Sequence, residues 1–375
     1  MSEDKIKKLF VVCFIIIIFF FMITTIFNDK KVSEVEKRKL ATFPKFTIDN
    51  LYKKKYYDNL TSAFSDQLEL RNYLVKGYFL FQFQRYSGTA VKGKHKQLYS
   101  AAQKEPNAIY YKNLRKTIEN VNKESKKINA KFIFLSVPRK DAYMTKDLPR
   151  TYVSSENIYK KQVKVTKETL SDDIIFIDAY DVYKKNNIYN CYYSNDHHIT
   201  PRCAYLLYKE INKYTNTKTY DFEKEFKVNK TIVNGSFNRQ FGQTIKSKPE
   251  DLYLTPRKKI NYKRYENNKL SKIKVFGKGN SYATAYMGSD MAYTRVERNI
   301  KGENIMFVGS SYTNILEALS VPSYNRMLSI DYRHNKSGHS IDYYVDKYDI
   351  DYVVFVPAQS NNSYSIDAIN LHLGK

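Results

Sequence analysis

Five short apolar runs, set among patterns typical of helices, restrict the fold of this chain more than any other feature. The runs are Lys131–Pro138, Ile174–Asp178, Ile305–Val308, Met327–Asp331 and Ile350–Pro357. Apolar residues at helical spacing precede the first run (Tyr111–Ile128) and the second (Ser155–Leu170). Each run is apolar on both faces, as strands are when helices cover both sides of a parallel sheet. The pattern therefore predicts an α/β fold with a parallel sheet flanked by helices.

The regular alternation stops between Thr215 and Asn304. This stretch is polar, carries several glycines and shows no long periodic run. We interpret residues 215–304 as an insertion of short strands and loops on the same domain, or a cap over the site. The chain shows no internal repeat, so residues 31–375 are predicted to form one domain.

A charge-free run from Leu9 to Phe27 is long enough to cross a bilayer as a helix. A cleavable signal peptide is the alternative, but the run is long for one and no small-residue cleavage site follows it. Residues 1–30 are therefore predicted to be a short tail and a membrane anchor. Lysines and arginines flank both sides of the run and do not favour export, yet long domains translocate largely regardless of charge. We predict a single-pass cell-membrane protein whose C-terminal domain is extracytoplasmic.

The formal net charge is +25, which favours anionic partners such as nucleic acid, acidic lipid headgroups or anionic wall polymers. The lysines are spread along the chain without forming one basic block, and tryptophan is absent. This distribution is equally consistent with compositional drift. Because the apolar run indicates a membrane protein, nucleic acid is not predicted as a partner.

The stretch Tyr192–Ala204 places Asp196 beside His197 and His198, directly before a predicted helix start at Thr200 and Pro201. A histidine suits general acid and base chemistry near neutral pH, and an acid is needed to hold its tautomer. We therefore predict that Asp196 orients His198. His197 is interpreted as a support for its own loop.

A metal site is the alternative interpretation of this stretch, because aspartate and histidine are both metal ligands. The nearest further candidates, Asp178 and Asp181, lie on a different segment, and no typical ligand spacing is present. We predict neither a metal nor a cofactor.

The turn Gly309-Ser310-Ser311 follows an apolar strand and opens a helix. A serine on such a turn is exposed, and the neighbouring backbone N–H groups can hold a developing oxyanion. A serine of this turn is therefore a candidate nucleophile, and the neighbouring positions, among Gly309, Ser310, Ser311, Tyr312 and Asn314, are candidates to support the oxyanion or the turn. The alternative is purely structural, since Gly-Ser-Ser is also a common strand-to-helix turn.

Cys191 and Cys203 bracket the Asp-His-His stretch. In an exported domain a disulfide between them would fix the loop that carries the predicted base. Two free or buried thiols are the alternative, and the sequence leaves both open.

An ordered series of short segments resembles the DHHW proteins, relatives of the alginate O-acetyltransferase proteins with an SGNH-hydrolase-like fold. Besides the D-H-H-x-T-P stretch, the segments are E-K-R-K-L-A-T-F-P-K-F, F-S-D-Q-L-E-L-R-N, S-V-P-R-K, Y-M-G-S-D, G-S-S-Y-T-N and S-I-D-Y-R. They cover most of the chain from Glu36 to Pro357. The order of the segments is more specific than any one of them.

The resemblance implies a Ser-His-Asp triad made of Ser311, His198 and Asp196 within an SGNH-like domain. This chain departs from the family pattern twice, with Ser310 where an aspartate is usual and Ile199 where a tryptophan is usual. The first departure puts the turn's hydrogen bonding in doubt, and the second removes an aromatic wall from the site.

The implied function is an O-acetyltransferase or acetylesterase acting on a cell-surface or secreted polysaccharide, with a membrane-bound O-acyltransferase as the acetyl donor. The sequence does not separate transfer to a sugar from transfer to water. The alternative is a non-catalytic polysaccharide-binding or assembly protein of an exopolysaccharide export system. The 35 tyrosines, which suit stacking on sugar rings, favour this alternative.

Overall fold

The computed structural model spans the whole chain and describes residues 2–33, 38–84, 90–241, 245–288, 290–335, 337, 339–357, 359–360 and 363–364. Its helices are α1 (Glu3–Ile26), α2 (Lys54–Gln67), α3 (Arg71–Gln84), α4 (Ala108–Ser125), α5 (Lys140–Tyr143), α6 (Glu156–Thr169), α7 (Ala179–Lys185), α8 (Pro201–Asn212), α9 (Phe222–Glu225), α10 (Ser236–Gln240), α11 (Tyr282–Ala285), α12 (Asn314–Ser320) and α13 (Ile341–Tyr348).

The strands are β1 (Val32–Ser33), β2 (Arg38–Lys39), β3 (Ala90–Lys92), β4 (Leu98–Ser100), β5 (Lys131–Ser136), β6 (Ile175–Asp178), β7 (Phe226–Thr231), β8 (Glu250–Pro256), β9 (Lys263–Glu266), β10 (Lys269–Leu270), β11 (Tyr293–Glu297), β12 (Asn304–Gly309), β13 (Arg326–Asp331), β14 (Tyr352–Phe355), β15 (Gln359–Ser360) and β16 (Ser363–Tyr364).

The chain forms two compact units, the smaller made of residues 1–88 and 238–246. Its helix α1, counted to Phe27, has 25 residues. It is long enough and apolar enough to cross a membrane. After α1, the buried Gln67 amide donates to the carbonyls of Lys30 (2.9 Å) and Ala41 (2.7 Å). These bonds tie the segment that follows α1 to the end of α2.

The larger unit, residues 89–237 and 247–375, is built on an eight-stranded sheet of order β10-β9-β11-β13-β12-β14-β5-β6. The five strands from β13 to β6 are parallel, and they are the five apolar runs of the sequence. The predicted α/β fold, with a mostly parallel sheet flanked by helices, is confirmed. Both faces of the sheet are covered because each strand is apolar on both sides.

The central strand β12 shows how the two faces are divided. Ile305 and Phe307 point into one buried cluster, and Met306 and Val308 point into the other. All four side chains are fully buried, so the strand has little freedom to shift. The carboxyl end of β12, at Gly309, is thereby held in the middle of the sheet.

The stretch 215–304 consists of short strands and loops, and part of it extends the sheet. Strands β11, β9 and β10 add to the edge next to β13 in antiparallel pairing, while β7 and β8 form a separate antiparallel pair. Short strands were expected in this stretch, but neither their positions nor their antiparallel pairing with the sheet was predicted. Their residues are mostly half-buried or exposed and lack the continuous apolar run that marks the parallel strands.

Candidate active site

We define the Asp-His-His loop as Cys191–Cys203. It follows α7, and contacts between its two ends close it. Tyr192 and Ile199 form an isolated antiparallel bridge, and the Thr200 amide donates to the Cys191 carbonyl at 2.8 Å. Cys191 and Cys203 are joined in a disulfide. Helix α8 begins at Pro201 with Thr200 as its N-cap, as predicted. The two ends of the loop are therefore linked to each other, and the acid and the histidines lie between them.

Asp196 lies at the centre of the loop and is 3% exposed. Its Oδ1 accepts from His198 Nδ1 (2.6 Å) and from the His198 amide (2.9 Å), while Oδ2 accepts from the Ser236 amide (2.6 Å). Burial by itself raises the pKa of this carboxyl. The neighbouring imidazoles and the hydrogen bonds outweigh burial, and the pKa lies well below its usual range. Asp196 is consequently a carboxylate under all ordinary conditions.

The His198 ring is fixed between Asp196 and Ser311. With the Nδ1 proton directed at Asp196, Nε2 is left to accept the Ser311 hydroxyl, and the two atoms are 2.9 Å apart. Tyr282 stacks on the imidazole, with ring centroids 3.9 Å apart and an 8° angle between the planes. The structure thus brings Ser311 to a pair of residues that lie more than a hundred positions earlier in the sequence. A base, its orienting acid and a hydroxyl nucleophile require this arrangement.

The turn of Ser311 lies at the carboxyl end of β12, where parallel sheets bind ligands. A Cβ at Gly309 would come within 2.5 Å of the Thr313 side chain and 3.2 Å of the Val356 carbonyl, so this position requires glycine. Among the residues that the structure describes, the amides of Ser311 and Tyr312 bond to no acceptor. Two N–H groups beside a nucleophile are the donors that an oxyanion needs.

His197 lies beside His198, with its ring 5.5 Å from that of Tyr312. Its Nδ1 lies 2.6 Å from the Ser236 hydroxyl, and its ring packs on His198 with centroids 3.9 Å apart. Asp196, His197 and His198 bring one potential metal-ligand atom each within 4.8 Å of one another. Those atoms already take part in hydrogen bonds to each other and to Ser236, so the geometry fits a hydrogen-bonded site.

A sequence comparison places this chain in a known family, and a structural comparison finds the same fold in solved proteins. Residues 90–297 match the family described as "SGNH hydrolase-like domain, acetyltransferase AlgX". The chain belongs to this family. No match was found among proteins with curated functions.

Two solved structures illustrate the likeness in fold. Bacillus cereus PatB1, solved with a sulfonyl adduct, is 17% identical, has a TM-score of 0.62, and aligns over 77% of this chain and 99% of its own. A DHHW family protein from Eubacterium siraeum is 16% identical, with a TM-score of 0.61 over 76% of this chain and 95% of its own. At such identities the likeness concerns the fold alone.

The two departures from the DHHW pattern have visible structural consequences. Ile199, in place of the usual tryptophan, is fully buried in the loop bridge, while Tyr282 supplies an aromatic face against His198. Ser310, in place of the usual aspartate, is buried, and its carbonyl accepts from the Thr313 amide (2.9 Å) and hydroxyl (2.8 Å). The turn is therefore closed by its own residues.

Asn314, predicted as turn support, begins helix α12. The side-chain amide of Asn314 donates to Asp290 Oδ1 at 3.0 Å. Asp290 in turn forms an ion pair with Arg333 at 2.8 Å. Arg333 also binds Asp331, at the end of β13. The Asn314 side chain thus links the first turn of α12 to a charged cluster at the end of β13, while its backbone amide donates to the Ser311 carbonyl at 3.3 Å.

Several supporting residues of this SGNH-like site were not predicted from the sequence. Tyr282 and Ser236 come from the 215–304 stretch, where no pattern marks them. Lys140 follows β5 in the S-V-P-R-K segment, which gave the only sequence signal for it. All three act on the Asp-His-His loop from distant positions.

Lys140 is 3% exposed and holds the start of the loop. Its Nζ donates to the carbonyls of Leu98 (2.8 Å), Tyr193 (2.7 Å) and Ser194 (2.8 Å). Burial lowers the pKa of this amine to about 7, against the opposing effect of nearby carboxylates, Glu250 first. An ammonium has three protons, and the three carbonyls satisfy all of them. Lys140 therefore joins β4 to the backbone just before Asp196.

The outer side of the loop lines a cavity of about 880 Å³, which we call the loop cavity. Its walls include Tyr189, Tyr192, Thr200, Cys203, Glu250 and four cationic side chains, which are Lys94, Lys146, Arg202 and Lys230. Arg202 pairs with Glu223 at 2.9 Å. The three lysines are exposed and have no carboxylate within 4.0 Å in the described part of the chain. The volume is that of a typical ligand site.

Proposed function

We propose that this protein is a membrane-anchored extracytoplasmic enzyme that moves an acetyl group through Ser311 to a cell-surface or secreted polysaccharide. The observation that carries the proposal is the continuous hydrogen-bonded series Asp196–His198–Ser311, with contacts of 2.6 Å and 2.9 Å. Membership of the AlgX family supports polysaccharide O-acetylation as the class of reaction.

In the first half-reaction, the Ser311 oxygen attacks the acetyl carbonyl while its proton passes to His198 Nε2. The amides of Ser311 and Tyr312 stabilise the oxyanion, and Asp196 stabilises the imidazolium. Collapse expels the donor's leaving group, which takes the proton from His198 and leaves an acetyl ester on Ser311.

In the second half-reaction, His198 accepts the proton of a sugar hydroxyl, whose oxygen attacks the Ser311 ester. The tetrahedral intermediate then expels the Ser311 oxygen, which takes the proton back from His198. Water in place of the sugar gives an esterase by the same steps. A membrane-bound O-acyltransferase is the proposed acetyl donor, because helix α1 would keep the domain at the bilayer where acetyl groups are exported.

The loop cavity supports a second candidate, a non-catalytic polysaccharide-binding protein of an export system. Its exposed lysines and the Tyr189 ring offer contacts to a glycan, whatever the triad does. The two candidates differ in whether turnover depends on Ser311.

The test measures p-nitrophenyl acetate and acetylated-sugar hydrolysis by the full-length protein in detergent. Ser311→Ala should lower the turnover number by at least about 10³-fold, as the loss of a serine nucleophile does. A fluorophosphonate should label wild type and Ser310→Ala but not Ser311→Ala, because only Ser311 contacts His198. Equal rates for wild type and Ser311→Ala, together with tight polymer binding, would refute the enzyme and favour the binding protein.

A further inference from the structure

A buried carboxyl group lies beneath the turn that carries Ser311. Glu317, in the first turn of α12, is 1% exposed. Its Oε1 contacts the hydroxyls of Thr313 (2.5 Å) and Ser329 (2.7 Å). The Thr313 hydroxyl also contacts the Ser310 carbonyl at 2.8 Å. Glu317 is thus connected through one threonine to the peptide that precedes the nucleophile.

Counting protons shows which form of Glu317 this arrangement needs. The Thr313 hydroxyl has one proton and two neighbours that ordinarily accept, the Ser310 carbonyl and Glu317 Oε1. A carbonyl oxygen never donates, whereas a protonated carboxyl does. Both contacts are therefore hydrogen bonds when Glu317 is protonated and donates to Thr313, which in turn donates to Ser310. If Glu317 ionises, Thr313 must turn its proton to the carboxylate, and the Ser310 carbonyl loses a donor.

The affected carbonyl belongs to the Ser310–Ser311 peptide, whose N–H is one of the two donors available to an oxyanion. The carbonyl accepts two bonds from Thr313, one from the amide at 2.9 Å and one from the hydroxyl. Hydrogen bonds to a carbonyl polarise the peptide and strengthen its N–H as a donor. They also close the turn that aims the Ser311 oxygen at His198.

We propose that Glu317 is a positioning residue for Ser311 that acts in its protonated form through the Thr313 hydroxyl. This inference rests on the proposed function of the triad. Glu317 touches neither the nucleophile nor the base, so its effect is on turnover and not on substrate binding.

The surroundings of Glu317 favour the protonated form. Burial raises its pKa most, the two hydroxyl contacts lower it, and the carboxylates of Asp331 and Asp290 raise it again, so that the pKa lies at about 7. The other charged or titratable groups that interact with it are the Arg264 guanidinium, from β9, and the Tyr282 hydroxyl, from α11.

The experiment compares turnover against pH for full-length wild type, Glu317→Gln, Thr313→Val and Thr313→Ser, with the Ser311→Ala rate subtracted. Wild-type turnover should fall roughly threefold to tenfold as pH rises through about 7, the effect of one hydrogen bond. Glu317→Gln, which stays neutral, should lack this fall. Thr313→Val should be slow at every pH with an unchanged KM, and Thr313→Ser should restore both rate and pH dependence.

Thr117, buried on α4, gives the matched control. Thr117→Val should keep the wild-type turnover and pH profile, which separates the effect at the turn from a general loss of a buried hydroxyl. A fall above pH 7 that persists in Glu317→Gln would overturn the proposal. So would a Thr313→Val variant as active as wild type.

Infrared difference spectroscopy tests the proposal without using turnover. A protonated-carboxyl band should be present at pH 6, disappear with a midpoint near 7, be missing in Glu317→Gln, and change frequency in Thr313→Val. If Ser311→Ala turns over as fast as wild type, the proposed function fails, and this band still decides whether protonated Glu317 binds Thr313. Absence of the band at pH 6 overturns the inference on Glu317 alone.

Discussion

Asp196 in the Asp-His-His loop and Glu317 beneath the Ser311 turn are both almost completely buried, yet their pKa values move in opposite directions. Burial raises both, but imidazoles and backbone amides around Asp196 bring its pKa well below the usual range. Around Glu317 burial prevails: two hydroxyl contacts lower the pKa only in part, the carboxylates of Asp331 and Asp290 add to the rise, and the pKa lies at about 7. Partners, and not burial alone, decide the charge of a buried carboxyl.

The two regions are also held by different kinds of contact. The loop is fixed by distant segments, through the Ser236 amide, the Lys140 ammonium and the ring of Tyr282. The turn is closed by local bonds from Thr313 to Ser310 and to Glu317. Distant segments contact it through Ser329, which binds Glu317, and through Asp290, which binds Asn314. Damage to the loop should therefore change both folding and catalysis, whereas damage to the turn should change mainly catalysis and its pH dependence.

The largest expected effect comes from replacing the loop carboxylate. Asp196→Asn should lower turnover by about 10⁴-fold, because the amide no longer stabilises the imidazolium or enforces the tautomer of His198. The measurement is the turnover number for p-nitrophenyl acetate at pH 7. The control is Asp178, which lies at the end of strand β6. Asp178→Asn should change turnover only severalfold. Similar losses in both variants would show that Asp196 has no special role.

Opening the loop at its base is expected to be the next largest change. Cys191 and Cys203 are 12 residues apart, and removing such a cross-link typically costs about 2–4 kcal/mol of unfolding free energy. Cys191→Ser/Cys203→Ser should lower the free energy of unfolding by that amount and reduce turnover, whereas Cys13→Ser should change neither. Identical denaturation midpoints for wild type with and without reductant would argue for two free thiols.

Glu317, beneath the turn, should make the free energy of unfolding depend on pH. Glu317 binds its proton more tightly in the folded protein, so it stabilises the fold fully below its unfolded pKa, near 4.5. That stabilisation, at most about 3 kcal/mol, is lost as pH rises to about 7. Urea denaturation between pH 4 and 9 should show this decline in wild type relative to Glu317→Gln. A constant difference between the two proteins across that range would contradict a raised pKa.

Asp196 should give the opposite slope, because its folded pKa is depressed. Its contribution to stability is present above the unfolded pKa, near 3.8, and is lost only as the pH falls below that value. The two carboxyls therefore affect stability in separate pH ranges.

The sequence was sufficient to predict the five parallel strands of the sheet, and it singled out the three residues that the structure brings together at the proposed site. Continuous apolar runs mark β5, β6, β12, β13 and β14, and their order places Ser311 at a carboxyl edge. Asp196 and His198 could be paired because they are two residues apart on one loop. Such local signals survive without knowledge of the fold.

The supporting residues could not be predicted, because their roles arise from contacts between distant segments. Tyr282 is one of 35 tyrosines, and nothing in its neighbours indicates stacking on a histidine 84 positions earlier. Glu317 is one of 38 acidic residues, and its burial depends on how α12 packs on β13. Strand β9 is mostly half-buried or exposed, and the buried positions of β11 are interrupted by charged residues, so neither carries the continuous apolar run that marks the parallel strands.

The loop differs from the turn in one further respect, because its outer side forms a wall of the loop cavity. If the acceptor is an anionic polysaccharide, Lys94, Lys146 and Lys230 should contribute to its binding. Replacing all three by glutamine should weaken the binding of polygalacturonate about tenfold, since exposed ion pairs contribute modestly. Binding of neutral dextran should be unaffected.

The matched variant replaces Lys112, Lys116 and Lys123, three exposed lysines of α4, and removes the same charge from a protein whose net charge is +25. If both triple variants lose affinity equally, the polymer responds to overall charge and the cavity is no specific site. If only the cavity variant loses affinity, the Asp-His-His loop has two working sides. One side of the loop would then hold the base against Ser311, and the other side would bind the acceptor polysaccharide. The turn is not among the described residues that line the cavity, so it would serve only the first of these roles.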